Sequence, residues 1–142
     1  MNLYKQINEW LLGYTPLNNW IYFNATPFIV GSTTVNSISG ARVTKEFVDG
    51  SKRKEILFAV DFIGTYDASG TSDVNMDTMQ EAENFANWIE TQTTFPDFGS
   101  DCTIEKIEVL TSTPNAYVNE SQGLAKYQFQ AKITYTDESE VN

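Results

Sequence analysis

Two stretches of the chain repeat their apolar residues with the period of an α-helix. Residues 2–12 place apolar side chains on one helical face, and Gly13 and Pro16 follow as stop signals. Residues 76–91 show a second apolar stripe of the same kind. The sequence therefore predicts two amphipathic helices. Their core positions are expected to be Leu3, Ile7, Trp10 and Leu11 in the first helix and Met79, Ala82, Phe85, Ala86 and Ile89 in the second.

The remaining apolar residues alternate with polar ones or form short runs, which is typical of β-strands. Residues 124–136 show the most regular alternation, and residues 54–66 are apolar on both faces, as expected of a central strand. Residues 42–48 lie just before residues 54–66, and the intervening Asp49-Gly50 turn predicts a hairpin. A further strand is predicted at residues 102–111, and weaker strand patterns lie at residues 20–23 and 29–38.

The order of these elements is a helix, strands with a hairpin, a second helix and a final pair of strands. Because strands do not alternate regularly with helices, the sequence predicts an α+β fold, a mainly antiparallel sheet with two helices packed on it. A length of 142 residues suits a single domain spanning residues 1–142. Residues 112–123 are polar and turn-rich and are predicted to form an exposed hairpin arm, and residues 137–142 a frayed tail.

The charges of the chain are sorted by segment. Residues 61–101 contain nine acidic side chains and no Lys or Arg, whereas Lys52, Arg53 and Lys54 stand together beside the hairpin turn. This pattern predicts a basic knob and an acidic flank on one subunit, which suits docking onto copies of itself or onto fixed neighbours. A solvated hairpin tip and a phosphate contact are the alternatives for the basic turn. Solubility alone is the alternative for the net charge of −10.

The residue inventory offers little catalytic chemistry. The chain has no histidine, which excludes nucleophile–histidine pairs and most transition-metal sites. It has neither of the glycine-rich patterns that bind phosphates, G-x-x-x-x-G-K-[ST] and G-x-G-x-x-G. Its one cysteine, Cys102, cannot form an internal disulfide and is predicted to be a buried, inert thiol. The sequence favours a protein that is not an enzyme.

Carboxylates remain as candidate chemical groups. Asp61 stands in an apolar strand, where it is either a general acid or base with a raised pKa, or a residue that reaches solvent or a lysine of the neighbouring strand. Asp67, Asp73 and Asp77 suggest a calcium loop, but their spacing does not fit the EF-hand pattern, so a solvated loop with a helix cap is preferred. The tryptophans are expected to pack in the core or between helices rather than form a sugar platform: Trp10, Trp20 and Trp88.

Three segments in this order resemble a known group of viral proteins. The long strand reads ILFAVDFIGTY at residues 56–66, the second helix ends in FANWI at 85–89, and the last strand reads YQFQAKITY at 127–135. With the short first helix, the hairpin and the acidic loop, the pattern is similar to the minor capsid or tail terminator proteins of long-tailed (siphovirus-type) bacteriophages. The similarity covers roughly residues 42–136.

The resemblance implies an α+β subunit that forms a ring, usually a hexamer, at the head-proximal end of the tail tube. Such a ring stops tail polymerisation and offers a surface to the head connector and neck proteins, while viral DNA passes through its lumen. Proteins of this kind are not enzymes, need no cofactor or metal and involve no membrane. The chain is therefore expected in the virion, in the tail or neck, after assembly in the cytoplasm of the host bacterium.

A ring requires a heterologous interface, in which one patch meets a different patch of the next subunit. We predict that the basic turn at Lys52, Arg53 and Lys54 meets an acidic surface of the next subunit. The acidic surface is expected to comprise Asp67, Asp73, Asp77, Glu81 and Glu90. The exposed arm is predicted to contact the tube or connector through Thr113, Asn115, Tyr117 and Asn119.

Other functions stay open on these grounds. Another neck or head-completion component of the same particle has the same requirements. A stand-alone α+β ligand-binding module would be a monomer or dimer with an apolar cavity lined by residues such as Phe58, Phe62 and Tyr66. An enzyme using paired carboxylates, such as a glycosidase, would depend on Asp61.

Overall fold

The chain folds into two α-helices and a mostly antiparallel sheet of six strands, which confirms the predicted α+β class. The computed structural model describes residues 2–17, 20–25, 27, 29–111 and 115–141. The helices are α1 (Leu3–Leu11) and α2 (Val74–Thr91). The strands are β1 (Tyr22–Phe23), β2 (Thr33–Glu46), β3 (Lys52–Thr65), β4 (Cys102–Val109), β5 (Asn115–Asn119) and β6 (Leu124–Asp137).

Strands β3 and β6 form the centre of the sheet. They pair antiparallel over their whole length, from Lys52 opposite Asp137 to Thr65 opposite Leu124, without a register shift. The sheet order is β1-β2-β3-β6-β4, and β5 lies on the same edge of β6 as β4. The two segments with the strongest strand patterns in the sequence are therefore neighbours at the centre, where a strand buries both faces.

One face of this sheet carries the core. Alternate residues of β3 and β6 point to this face, and Phe58 and Phe129 on it are fully buried. Helix α2 packs Phe85 edge-on against Phe129, and α1 buries Ile7 in the same cluster. Each large apolar side chain buried in this way contributes roughly 1.5–3 kcal/mol. Burial of these alternate positions holds both helices against the sheet.

Helix α2 approaches the end of β3 very closely. A Cβ added to Gly64 would lie 2.2 Å from Oγ1 and 2.6 Å from Cγ2 of Thr78. Only glycine leaves room for the helix at this point of the strand. The helix begins two residues before its predicted start, and Asp73 occupies the N-cap position without a capping hydrogen bond from its side chain.

Strand β2 is a single element where the sequence predicts two. The predicted break between residues 38 and 42 is absorbed by register shifts against β3, and the strand runs through Gly40. Bulges of this kind accommodate residues that interrupt the alternation. The Asp49-Gly50 turn that joins β2 to β3 is confirmed, with Gly50 at a positive φ of 92°. Of the weak segment 20–23, only Tyr22–Phe23 pairs with β2, and it does so in parallel.

The predicted arm contains part of the sheet. Residues 112–114 lie outside the described residues, and Asn115–Asn119 form β5, which pairs with the first half of β6. A 3-10 turn at Glu120–Gln122 and Gly123 closes the hairpin. Because β6 extends well beyond β4, its free edge provides hydrogen-bonding partners for β5. The arm is thus an edge strand, and the described side chains of β5 are exposed.

Candidate functional site

The three cations of the predicted basic turn form ion pairs with carboxylates of the same chain. Arg53 Nε lies 3.1 Å from Glu105 Oε2 on β4, and Lys54 Nζ lies 2.8 Å from Asp137 Oδ2. Lys52 forms an ion pair with Glu140. The three cations do cluster, as predicted. They are largely neutralised within the subunit and leave little free positive charge for a neighbour.

These contacts also hold the C-terminal tail. The hydrogen bond from Lys54 is the main reason that the pKa of Asp137 falls to about 2, and Ser139 adds to the effect. Beyond Asp137, the amide of Glu138 donates to the carbonyl of Asp101 at 2.8 Å. The tail that the sequence predicts to fray therefore makes specific contacts from residue 137 to Glu140.

The tip of the β2–β3 hairpin presents an apolar residue and one unpaired cation. Phe47 lies between the ammonium group of Lys45, 5.1 Å from its ring centroid, and the guanidinium of Arg53, at 5.5 Å. Asp49 closes the turn by accepting hydrogen bonds from the backbone and hydroxyl of Ser51. Val48 is fully exposed at the end of this ordered turn.

Most cations of the chain are paired internally. Of nine Lys and Arg side chains, seven lie within 4.0 Å of a carboxylate oxygen. Among the described residues, the two that form no ion pair are Lys5 and Lys45, and both are exposed. The positive charge available to a partner is therefore confined to α1 and to the hairpin.

The predicted acidic surface lies mainly on α2. Asp73, Asp77 and Glu81 follow one another at intervals of four residues and are exposed on the same side of the helix. Glu90 is exposed near the other end of α2. Within the part of the chain that the structure describes, none of these carboxylates has a cationic partner. The stripe at positions 73, 77 and 81 is thus a surface of unrelieved negative charge.

Asp67 belongs to a self-contained loop. Its carboxylate accepts hydrogen bonds from the backbone and hydroxyls of Ser69 and Ser72, which lower the pKa of Asp67 well below its usual range. The side chain of Asn75 bonds to the backbone of the same residue. The described residues contain no group of three or more Cys, Asp or Glu side chains placed to hold a metal ion. Asp67 therefore stabilises this loop through hydrogen bonds within it.

A cavity of about 390 Å³ lies between α2, the segment that follows α1, and the beginning of β2. Its apolar wall includes Leu17, Trp20 and Phe62, and its polar wall includes Glu81 and Asn84. The remaining lining residues are Tyr14, Pro16, Gly31, Ser32 and Thr33. The cavity combines an aromatic surface with one carboxylate, which is typical of a recognition site.

The cavity wall is rigid on the side of α2. Tyr14 stacks on Phe85 with ring centroids 4.6 Å apart and ring planes 5° from parallel. Burial, reinforced by the negative charge of Glu81, raises the pKa of Tyr14. Trp20, in contrast, is 64% exposed at the rim, so the prediction that it packs in the core was wrong.

Asp61 is buried on the second face of the sheet. Its Oδ1 accepts a hydrogen bond of 2.7 Å from Gln128 Nε2, and its Oδ2 accepts one from Asn36 Nδ2. Lys126 of the neighbouring strand stands 3.9 Å away. Burial raises the pKa of Asp61, and these three partners oppose the increase. The predicted lysine contact is present, but the carboxylate does not reach solvent, being only 2% exposed.

The arm residues predicted to contact the tube or connector differ in their exposure and in their contacts. Thr113 lies outside the described residues, and Asn115 begins β5 opposite Gln128. Tyr117 is half-exposed, with the ammonium of Lys126 5.3 Å from its ring centroid. Asn119 caps the following turn by accepting hydrogen bonds from Ser121 and Gln122. Of these residues, Tyr117 presents the most apolar surface.

The tryptophans of the two helices and the single cysteine make packing contacts. Trp10 and Trp88 pack against each other with ring centroids 5.4 Å apart, as expected for residues between helices. Cys102 is half-buried rather than buried, and burial raises the pKa of its thiol. In the described ranges, neither helix has an apolar stretch long enough to cross a bilayer.

The most developed site was therefore missed by sequence reasoning. The cavity joins residues from four separate segments, at positions 14–20, 31–33, 62 and 81–84, so no local pattern indicates it. Two of its residues were nevertheless named from the sequence, Phe62 as the wall of an apolar cavity and Glu81 as part of an exposed acidic surface. A scan against models of protein families matches none of them, and a search of curated proteins finds no relative of this chain.

Proposed function

We propose that this chain is a structural subunit of a long-tailed bacteriophage, a tail terminator whose copies form a ring on the tail tube. The ring would stop tube growth and bind the head connector, in keeping with the resemblance carried by the strands at 56–66 and 127–135. One observation carries the proposal furthest. The stripe of Asp73, Asp77 and Glu81 is exposed on α2 without a cationic partner among the described residues.

Asp73 at the N-cap and Asp77 in the first turn are favoured by the dipole of α2, whereas Glu81 lies beyond that turn with a like charge four residues before it. Like charges four residues apart on a helix repel and cost a few tenths of a kcal/mol for each pair. Within this chain, the cations are held in pairs on the sheet and hairpin rather than beside α2. A neighbour that brings positive charge to α2 relieves the repulsion, and a ring of identical subunits provides one neighbour for every copy.

The acidity also suits the passage of DNA. A protein with a net charge of −10 offers few groups that neutralise phosphates, so a duplex moving through a ring of such subunits is not retained. The same charge would favour another neck or head-completion role equally. Electron microscopy of the ring bound to purified tubes or to connectors distinguishes these roles, because a terminator caps the tube end.

The direct test is the mass and shape of the purified chain. Light scattering at high protein concentration and moderate salt is expected to show an assembly of about six subunits, and negative-stain images a closed ring. Addition of the tail tube protein of the same phage is expected to yield tubes that stop growing. A chain that stays monomeric under all these conditions and leaves tube growth unchanged contradicts the proposal.

A ligand-binding module is the second candidate, because the cavity has the size and composition of a small-molecule site. Of the residues expected to line such a site, Phe62 does so, whereas Phe58 is fully buried in the core and Tyr66 is not part of the wall. This candidate requires a stable monomer or dimer. Native mass spectrometry of the purified protein is expected to show a bound small molecule if it is correct.

A further inference from the structure

The hairpin tip and the cavity lie at opposite ends of the same pair of strands. Thr33 pairs with Phe62 at the cavity, and Glu46 pairs with Lys52 next to the tip. Lys52 and Phe62 are ten residues apart along β3, which at about 3.3 Å for each residue separates the two ends by roughly 33 Å. The tip of one molecule therefore cannot reach its own cavity, and any contact between them joins two copies.

The tip is built to present its side chains. The second half of β2, from residue 37 to 46, is mostly exposed on both faces, and α1 contacts it only near its start, where the hydroxyl of Tyr4 donates to the carbonyl of Ser39. The turn itself is fixed by hydrogen bonds to Asp49 and by the two cations that flank Phe47. Val48 at the end has no packing partner, and Lys45 nearby has no carboxylate partner among the described residues.

The cavity offers the complementary chemistry. Leu17 and Phe62 are almost fully buried at its apolar wall, and Trp20 forms an exposed aromatic rim. Glu81 lines the opposite side with no cation of its own chain within ion-pairing distance, as far as the described residues extend. An apolar side chain with a cation beside it can pack against the apolar wall while the cation pairs with the carboxylate of Glu81.

We infer that the tip of the β2–β3 hairpin of one copy docks into this cavity of the next copy. Val48 packs against Leu17, Trp20 and Phe62, and the ammonium of Lys45 pairs with Glu81. The contact is heterologous because each copy uses the tip at one end and the cavity at the other, so successive contacts close a ring or extend a filament. This inference rests on the proposed function, and it assigns the subunit contact to Lys45 and Val48 in place of the internally paired Lys52, Arg53 and Lys54.

Cysteine crosslinking tests the contact directly. In a Cys102→Ser background, the pair Val48→Cys and Asn84→Cys places one thiol on the tip and one on the cavity wall. Mild oxidation is expected to give covalent multimers of two or more chains that dissociate on reduction. The matched control keeps Val48→Cys and places the second cysteine at the exposed Glu120, outside the cavity, where multimers are expected to be at least several-fold fewer.

Charge reversal supplies an independent test. Lys45→Glu and Glu81→Lys are each expected to weaken self-association by about tenfold or more, because each places like charges in contact. The double variant, which restores an opposite pair, is expected to recover most of the association. Lys5→Glu is the control, since it reverses the other unpaired cation and changes the net charge by the same amount.

The outcomes separate this inference from the proposed function. If rings form but the tip and cavity cysteines crosslink no more than the control pair, and the double charge variant recovers nothing, the docking contact is wrong and the terminator proposal stands. If the chain does not self-associate with or without tail tubes, both are wrong. A small molecule that copurifies in the cavity also overturns the docking contact.

Discussion

Asp61 shows how a single residue can contradict the pattern around it. It stands between apolar neighbours on β3 and is almost fully buried, yet its carboxylate is satisfied by amide groups of β2 and β6. Burial raises its pKa because the charged form loses water, and Gln128, Lys126 and Asn36 compensate in part. A carboxylate that is buried, bonded on both oxygens and placed on the opposite face of β3 from the cavity-lining Phe62 is a structural group of the sheet.

Replacement of Asp61 tests this account. Because the folded pKa lies above the ordinary value of 3.8, the folded chain binds the proton more tightly than the unfolded chain. The contribution of Asp61 to stability is therefore largest at low pH and declines as pH rises through its folded pKa. Asp61→Asn is expected to remove this decline, so that the variant gains on the natural chain as pH increases. Urea unfolding midpoints between pH 4 and 8 measure the difference.

Parallel curves for the two proteins across that range contradict the raised pKa. Asp61→Ala serves as a second variant, because it leaves the amides of Asn36 and Gln128 without their acceptor. It is expected to cost about 2 kcal/mol or more. Assembly is expected to survive Asp61→Asn, since the residue lies apart from the tip and the cavity.

Gly64 allows close packing of α2 on β3 because it has no side chain. An added Cβ would overlap Thr78, including its Cβ at 2.9 Å, and would displace α2 from β3. Gly64→Ala is expected to destabilise the fold by about 1–3 kcal/mol, which thermal or urea unfolding measures. Gly40→Ala is the matched control on β2, where an added Cβ meets nothing within 4 Å. Equal effects of the two substitutions on the free energy of unfolding would show that α2 moves away from β3 at little cost.

At the scale of elements, most charges of the sheet form ion pairs, whereas, among the described residues, the acids of α2 do not. The start of β3 and the end of β6 are joined by Lys54 and Asp137, while α2 carries its acids without partners. Pairs between strands fix the position of the tail. On α2, the dipole favours Asp73 and Asp77 at the N-terminus, so Glu81 is the acid of the stripe that gains least from the helix itself.

Loss of the pair at Asp137 is expected to weaken the link between β3 and β6. The pKa of Asp137 is lowered to about 2, so its contribution is fully present above the ordinary value of 3.8 and is lost as pH falls toward 2. Asp137→Asn is expected to cost about 1 kcal/mol at neutral pH and nothing near pH 2. Urea unfolding at both pH values checks this. Glu90→Gln, an exposed acid without an ion pair, is expected to change little.

Helix α2 offers a variant that separates stability from assembly. Glu81→Lys replaces a repulsion with Asp77 by an attraction in the favourable orientation, so the monomer is expected to gain about 0.3–0.5 kcal/mol. The same change is expected to weaken docking of the tip by about tenfold or more. Glu83→Lys is the control, because it changes the charge equally without an acid four residues before it. Sedimentation measures the assembly of both variants, and urea unfolding measures their stability. If Glu81→Lys lost both stability and assembly, the weaker assembly could be a consequence of a less stable fold.

At the scale of the whole molecule, the net charge of −10 opposes association over long distances while the proposed contact acts locally. Salt affects the two differently. The Debye length falls from about 30 Å at 0.01 M to about 8 Å at 0.15 M, which screens distant repulsion more than a pair in contact.

Self-association is therefore expected to strengthen as salt rises over this range. Sedimentation velocity at fixed protein concentration measures the change. Lys5→Glu, which adds negative charge away from the contact, is expected to need more salt to reach the same degree of association. A steady weakening with salt from the lowest concentration would mean that attraction between charges, rather than long-range repulsion, dominates assembly.

The sequence by itself determined the elements whose apolar residues repeat with a clear period. Both helices, the strands β3 and β6 and the Asp49-Gly50 turn follow from local spacing, because burial of one face imposes that spacing on the chain. The acids at positions 73, 77, 81 and 90 are exposed, because they lie away from the apolar stripe that α2 packs on the sheet.

Only the tertiary structure decided which groups meet. Lys54 and Asp137 are 83 residues apart, and Asp61 and Gln128 are 67 apart, so no local pattern indicates either contact. The pairing of β3 with β6 brings them together, neutralises the basic turn and buries Asp61. The same packing forms the cavity from four distant segments and leaves Val48 exposed at the other end of the β2–β3 pair. Periodicity reports what a segment buries, whereas charge pairing and cavities depend on neighbours that only the fold supplies.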